Sequence, residues 1–214
     1  MRAFWSLLAG AVFVAGMGGC NEKKTPAPAA APTTTQPVAT AAPRVEFTIG
    51  RGGEEWGKIV LQLDAEGTPI TTRNFLRYVE EGYYDGTIFH RIIPTFMIQG
   101  GGFTALNKEK TAGQHDPILN EARSGGSNKA YTIAMARTGD PNSATSEFFI
   151  NVVDNARKLD PNEQNFGYAV FGKVVSGKEV VNRIRDVEVK LNATGDEKSE
   201  PIDPPVLLKA RVVK

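Results

Sequence analysis

Downstream of residue 44 apolar positions alternate over short runs, and the runs are separated by turn formers. Val45 to Ile49 and Lys58 to Leu63 read as two strands around a turn over Gly50 to Gly57, with Ile59, Leu61 and Leu63 on one face. The period then lengthens. Thr68 is placed to cap a helix that Pro69 begins, Thr72, Phe75, Leu76 and Val79 form one apolar stripe, and Gly82 ends it. Asp85-Gly86 is a turn. Tyr131 to Ala136, Phe148 to Val153, Ala169 to Val174 and Val206 to Val213 read as further strands, the last with Leu208, Ala210 and Val212 on one face. Ser176-Gly177-Lys178-Glu179 has the form of a capping box before a second helix, whose apolar side is Val180, Val181 and Ile184. Thr104 to Lys129, Asp154 to Asn165 and Leu191 to Pro205 are polar and irregular and read as loops, with a polar turn over Gly139 to Ser146. Many short strands and two helices predict a mainly β fold closed into an antiparallel barrel.

The densest pattern is Ile88 to Phe103, two short β-prone runs joined at Pro94 and ending in Gly100-Gly101-Gly102. Strict alternation puts Phe89, Arg91 and Ile93 on one face and His90 and Ile92 on the other. A charged guanidinium between two large apolar residues has two readings. It is a snorkelling side chain on a barrel strand, or a donor held at the rim of an apolar pocket and aimed at a ligand.

Composition narrows the function. With 25 Lys and Arg against 24 Asp and Glu, the net charge of +1 leaves no footprint for nucleic acid. The single cysteine, Cys20, and two histidines, His90 and His115, form neither an internal disulfide nor a zinc-ligand pattern. No phosphate-binding loop and no Gly-x-Ser-x-Gly elbow is present. No cofactor is expected.

The N-terminal segment has a different composition. Arg2, an apolar run from Ala3 to Ala15 and small residues up to Cys20 read as a targeting segment too short and glycine-rich for a membrane span. In residues 21–43, 17 of 23 are Ala, Pro or Thr, so this linker lacks the apolar residues to bury a core and is expected to be extended. The folded domain then covers 44–214.

The motif Phe89-His-Arg-Ile-Ile-Pro94, followed by Phe96-Met-Ile-Gln-Gly-Gly101, closely resembles the signature of the cyclophilin-type peptidyl-prolyl isomerases. Tyr131 to Arg137, Ser143 to Asn151 and Phe166 to Val174 resemble that family's later blocks in the same order, and the resemblance spans Val45 to Lys214. It implies an eight-stranded barrel with a helix over each end and a site on the outer wall. It also implies Arg91 and Gln99 as catalytic residues and Phe96, Met97, Phe149 and Leu159 as a proline pocket. Ala136, Arg137, Glu147 and Tyr168 would line the peptide path. His90 is expected to be structural, because amide rotation needs no proton transfer. Met17-Gly18-Gly19-Cys20 resembles a bacterial lipobox, which makes residues 1–20 a lipoprotein signal peptide ending at Cys20, the lipidated new N-terminus, and places the domain in the cell envelope on the periplasmic side. Asn21 after the cysteine favours the outer membrane over the inner.

The expected partners are proline-containing unfolded or extended polypeptides. Contact with the membrane is expected through lipid alone, and the protein is expected to be a monomer. Lys158 stands where the family often has tryptophan, which implies weak cyclosporin binding. Tyr168 and Arg137 look like bacterial periplasmic members. Glu147 departs most, since glutamine is usual there and an ionised carboxylate only accepts hydrogen bonds. It is expected to touch Arg91, either orienting it or drawing it from substrate. The alternative function is a low-activity proline-peptide holder or adhesin of the same fold, and a less favoured one is an unrelated β-barrel lipoprotein.

Overall fold

Residues 42–214 are described by the computed structural model; the targeting segment with Cys20 and all but the end of the linker lie outside the described residues. The first hairpin pairs β1 (Arg44–Arg51) with β2 (Glu54–Leu63). Val45, Phe47 and Ile49 alternate inward against Ile59, Leu61 and Leu63, all essentially fully buried. The further strands are β3 (Thr87–Ile93), β4 (Met97–Gly100), β5 (Phe103–Ala105), β6 (Lys108–Glu109), β7 (Thr132–Met135), β8 (Phe148–Asn151), β9 (Val170–Ser176), β10 (Val189–Leu191), β11 (Lys198–Pro201) and β12 (Val206–Val213). Eight of them close an antiparallel barrel in the order β1-β12-β3-β4-β8-β7-β9-β2, which leaves the barrel no free edge.

Among the described residues three helices accompany the barrel: α1 (Pro69–Glu80) and α3 (Lys178–Arg185), the two expected, and a single turn, α2 (Ala156–Leu159), within the stretch expected to be a loop. Helix α1 directs Phe75 into the barrel end, where its ring meets Phe171 at 4.8 Å and Tyr84 at 5.3 Å between centroids. Such aromatic pairs each contribute about 0.5–1.5 kcal/mol beyond area burial. Thr68 stands at the N-cap but its side chain does not cap. The carboxylate of Glu121 does so from the long loop, accepting from the backbone N–H groups of Ile70 (3.1 Å) and Thr71 (2.7 Å). The expected capping box of α3 is also absent. Gly177 occupies the N-cap in a left-handed conformation with no side-chain bond, and its placement leaves no room for a Cβ against Lys58.

Two bulges overturn strict alternation. On β3 the register against β4 shifts between Phe89 and Arg91, so Phe89 joins Ile92 in the core while Arg91 and Ile93 face outward. On β12 a shift beside Leu208 turns Leu207 and Ala210 inward and leaves Leu208 and Val212 exposed. The loop regions also hold hairpins. β5 and β6 pair at the start of the long loop, and β10, which ends at Leu191, pairs with β11 inside 191–205.

Candidate active site

Apolar residues divide into two clusters on opposite sides of the barrel wall. The larger fills the interior; the smaller comprises Met97, Ala134, Phe149, Leu159 and Val170, with Ile93, Phe96, Ala136 and Tyr168 packed on it from outside. Alternation along β8 makes the division, since Phe148 points inward and Phe149 outward. Over the outer cluster lies a cavity of about 170 Å³ lined by Arg91, Phe96, Met97, Gln99, Ala136, Arg137, Phe149, Leu159 and Tyr168. The structure thus brings together every site residue expected from the sequence except Glu147, which stands behind Gln99, and Cys20, which is outside the described residues.

A buried amide network fixes the pocket floor. Asn155, just before α2, donates to Phe96 O (2.8 Å) and to Asn151 Oδ1 (2.8 Å). Asn151 donates to Asn128 Oδ1 (3.1 Å), and Asn128 donates to Asp160 Oδ1 (3.0 Å) and to Tyr168 O (3.2 Å). The turn bearing Phe96 is therefore tied to the segment bearing Leu159 and Tyr168. Tyr168 meets Phe149 edge-on, and the Arg137 guanidinium lies 4.4 Å from the Tyr168 ring centre while donating to Gly167 O. At the far rim the Lys158 ammonium lies 5.9 Å from the Phe96 ring centre.

Arg91 is half-exposed at the mouth. Its Nη1 donates to Gln99 Oε1 (3.2 Å) and lies 4.0 Å from the Met97 thioether. Its opposite edge forms a two-point ion pair with Glu197, Nε to Oε2 at 2.7 Å and Nη2 to Oε1 at 2.8 Å. The expected contact between Glu147 and Arg91 is not made. Glu147 Oε2 instead accepts from Gln99 Nε2 (2.7 Å). An acceptor-only carboxylate draws the amide NH₂ toward itself and so turns the Gln99 oxygen to Arg91. Burial raises the Glu147 pKa, and the Gln99 bond opposes that rise. The backbone of Gly102 passes so close to Glu147 that a Cβ there would stand 2.4 Å from Oε1.

The bulge also keeps His90 on the outside beside Arg91, not on the opposite face. Its ring packs at a tilt against Phe103 (4.3 Å between ring centres) and lies 3.5 Å from Glu147. Burial, then the Arg91 charge, lowers its pKa to about 4, so the ring is neutral at neutral pH. It does not line the pocket. The residue that sequence reasoning missed is Glu197. It lies in a polar run without periodicity, where nothing marks one acid among several.

This fold and site define a class: a closed barrel carrying an outer apolar pocket with a guanidinium at its rim. The profile of the cyclophilin type peptidyl-prolyl cis-trans isomerase family matches residues 45–212. The chain is 48% identical over 158 residues to peptidyl-prolyl cis-trans isomerase A of Dickeya dadantii, covering 74% of this chain and 80% of that protein. It is 48% identical over 159 residues to an isomerase of Streptomyces antibioticus (73% and 93%) and 50% identical over 133 residues to peptidyl-prolyl cis-trans isomerase B of Escherichia coli (61% and 80%). The chain belongs to the cyclophilin-type peptidyl-prolyl cis-trans isomerase family.

Proposed function

We propose that the domain accelerates rotation about X–Pro bonds in exported polypeptides, with Arg91 as the donor to the twisted bond. The observation that carries this reading is the guanidinium at the rim of a pocket of about 170 Å³ walled by Phe96, Met97, Phe149 and Leu159. Rotation must cross roughly 18–20 kcal/mol because it breaks C–N resonance. In the twisted state the nitrogen lone pair is localised and accepts a hydrogen bond it could not accept in either planar form. A donor aimed there binds the transition state in preference to the ground states. Phe96, Met97, Phe149 and Leu159 would hold the proline ring while Ala136 and Arg137 hold the chain beside it. No covalent step is involved.

Exchange spectroscopy on an X–Pro peptide tests this. The protein should broaden the cis and trans resonances, and Arg91→Ala should lower kcat/KM at least about tenfold, equivalent to roughly 1.4 kcal/mol of transition-state preference, with the fold intact. An uncatalysed rate from folded wild-type protein would refute it. That outcome would favour the second reading, a proline-peptide holder of the same fold.

The cellular setting is proposed from the sequence. Met17 to Cys20 supports lipidation at Cys20, with the domain in the envelope on the periplasmic side, more consistent with the outer membrane. Two-signal anchoring is the usual requirement for stable attachment by acyl chains, each CH₂ contributing about 0.8 kcal/mol. Cys20→Ser should move the protein from the membrane to the soluble fraction, and mass spectrometry should find acyl chains on Cys20. A mature N-terminus at any other residue would end this proposal.

A further inference from the structure

We infer that Glu197 is a positioning residue for the reaction, holding the Arg91 guanidinium so that its free N–H groups face the pocket. The inference rests on the isomerase reading above and adds a residue from outside the barrel.

The two-point pair occupies the Nε–Nη2 edge of the guanidinium, and Gln99 takes one N–H of Nη1. What remains without an oxygen partner among the described residues is the outer N–H of Nη2 and the N–H of Nη1 that faces only a weakly accepting thioether. The outer N–H of Nη2 is at the tip of the fork, and the cavity is the space that Arg91 shares with Met97 and Gln99. Glu197 therefore binds the edge the reaction does not use. Lysine could not be held this way, because an ammonium has no second edge.

The backbone of Glu197 is held independently of Arg91. It stands at the mouth of the β10–β11 hairpin, where Asn192 N donates to Glu197 O (2.8 Å) and the Asn192 side-chain oxygen receives the N–H of Asp196 (3.2 Å) and of Glu197 (3.3 Å). The hairpin is seated by buried Val189, Ser199 and Pro201. A free arginine on a strand has several rotatable bonds to order when substrate arrives. Two carboxylate oxygens on one side and the amide of Gln99 on the other complete that ordering in advance, which is how pre-organised donors contribute to rate. The Arg91 bond holds the Glu197 carboxyl below its ordinary range, so the pair is intact at neutral pH.

The test uses Glu197→Ala and Glu197→Gln in the full chain, with Glu200→Ala as a control. Glu200 pairs with Lys190 across the same hairpin (2.9 Å) and does not touch Arg91. Glu197→Ala should lower kcat/KM about five- to tenfold while the dissociation constant of an X–Pro peptide, read by NMR titration, changes less than about twofold. Glu197→Gln should fall between, and Glu200→Ala should match wild type. In an Arg91→Lys background Glu197→Ala should have no further effect. The ¹⁵N order parameter of Arg91 Nε should drop in Glu197→Ala, a change that simple loss of hairpin stability does not predict when Glu200→Ala leaves it alone. If Glu197→Ala is as active as wild type or more so, the carboxylate is a bystander or a restraint and the inference is overturned. An equal loss in Glu200→Ala would overturn it too, by assigning the effect to the hairpin. An inactive wild-type protein would instead refute the isomerase reading, so the two failures are distinct.

Discussion

At the scale of single residues, the site depends on which way a few polar groups face. Glu147 acts on Arg91 through Gln99, not directly. A glutamine at 147 could present its own amide oxygen to Gln99 Nε2 and preserve the same orientation, so Glu147→Gln should hold kcat/KM within about twofold of wild type. Glu147→Ala leaves the Gln99 amide free to turn and should lower it several-fold, measured in the same exchange assay. Crowding the carboxylate from the other side, Gly102→Ala should mimic Glu147→Ala. His90 gives a stability prediction. Its folded pKa of about 4 lies below the ordinary value of 6.5, so between these values the unfolded chain binds more protons and stability falls as pH is lowered. Glu147, with its raised folded pKa, takes up a proton early on acidification and opposes that loss. His90→Gln should flatten the decline in unfolding free energy between about pH 6.5 and 4, as read by urea titration at several pH values; a slope unchanged from wild type would place the acid sensitivity elsewhere.

At the scale of elements, the sequence is readable where one strand has one inner face. The alternation of Ile59, Leu61 and Leu63 and the stripe of α1 needed no tertiary information. Phe89 and Leu208 were misplaced because each sits beside a bulge, which inserts one residue into the ladder and reverses the faces that follow. That insertion depends on the partner strand and leaves no mark in the local period. The same holds for caps made from afar. Thr68 has the right chemistry, but Glu121, some fifty positions away in sequence, supplies the acceptors. The Arg91 pocket was legible because its residues fall in blocks of distinctive wording, whereas Glu197 reaches it from a hairpin that carries none. Glu121 should accordingly matter to stability. Glu121→Ala uncaps α1 and strands the Thr71 hydroxyl bond, and should lower unfolding free energy by about 1–2 kcal/mol with a smaller effect on the isomerisation rate. Thr68→Val should cost less at the cap itself, since its hydroxyl donates to Asp64 O rather than capping the helix.

At the scale of the whole molecule, the barrel is a wall with a core side and a pocket side. The inner side is a continuous aromatic and aliphatic core, with Phe148 fully buried within 5.5 Å of Phe47 and of Tyr84 between ring centres. The outer side carries the small second cluster, of which Met97, Phe149 and Leu159 line the cavity. A protein built this way can change its outer pocket without repacking its core, because the two clusters share backbone but are separate in their side-chain packing. Phe148 and Phe149 are the sharpest comparison: adjacent in sequence, the same size, and on opposite faces of β8. Phe148→Ala removes a ring from the sealed interior and should cost about 3–5 kcal/mol of stability. Phe149→Ala opens the floor of a cavity that already exists, so nearby atoms and water can adjust, and its cost should be less than half as large. Activity should show the reverse order. At a temperature where both variants are folded, Phe149→Ala should weaken X–Pro peptide binding and lower kcat/KM at least about tenfold, one ring's burial being worth roughly 1.5–3 kcal/mol, while Phe148→Ala should stay within about threefold of wild type. Denaturant titration and exchange spectroscopy on the two variants measure both quantities. Equal stability losses, or a larger activity loss at Phe148, would mean that core and pocket are mechanically one body and that the wall does not insulate them.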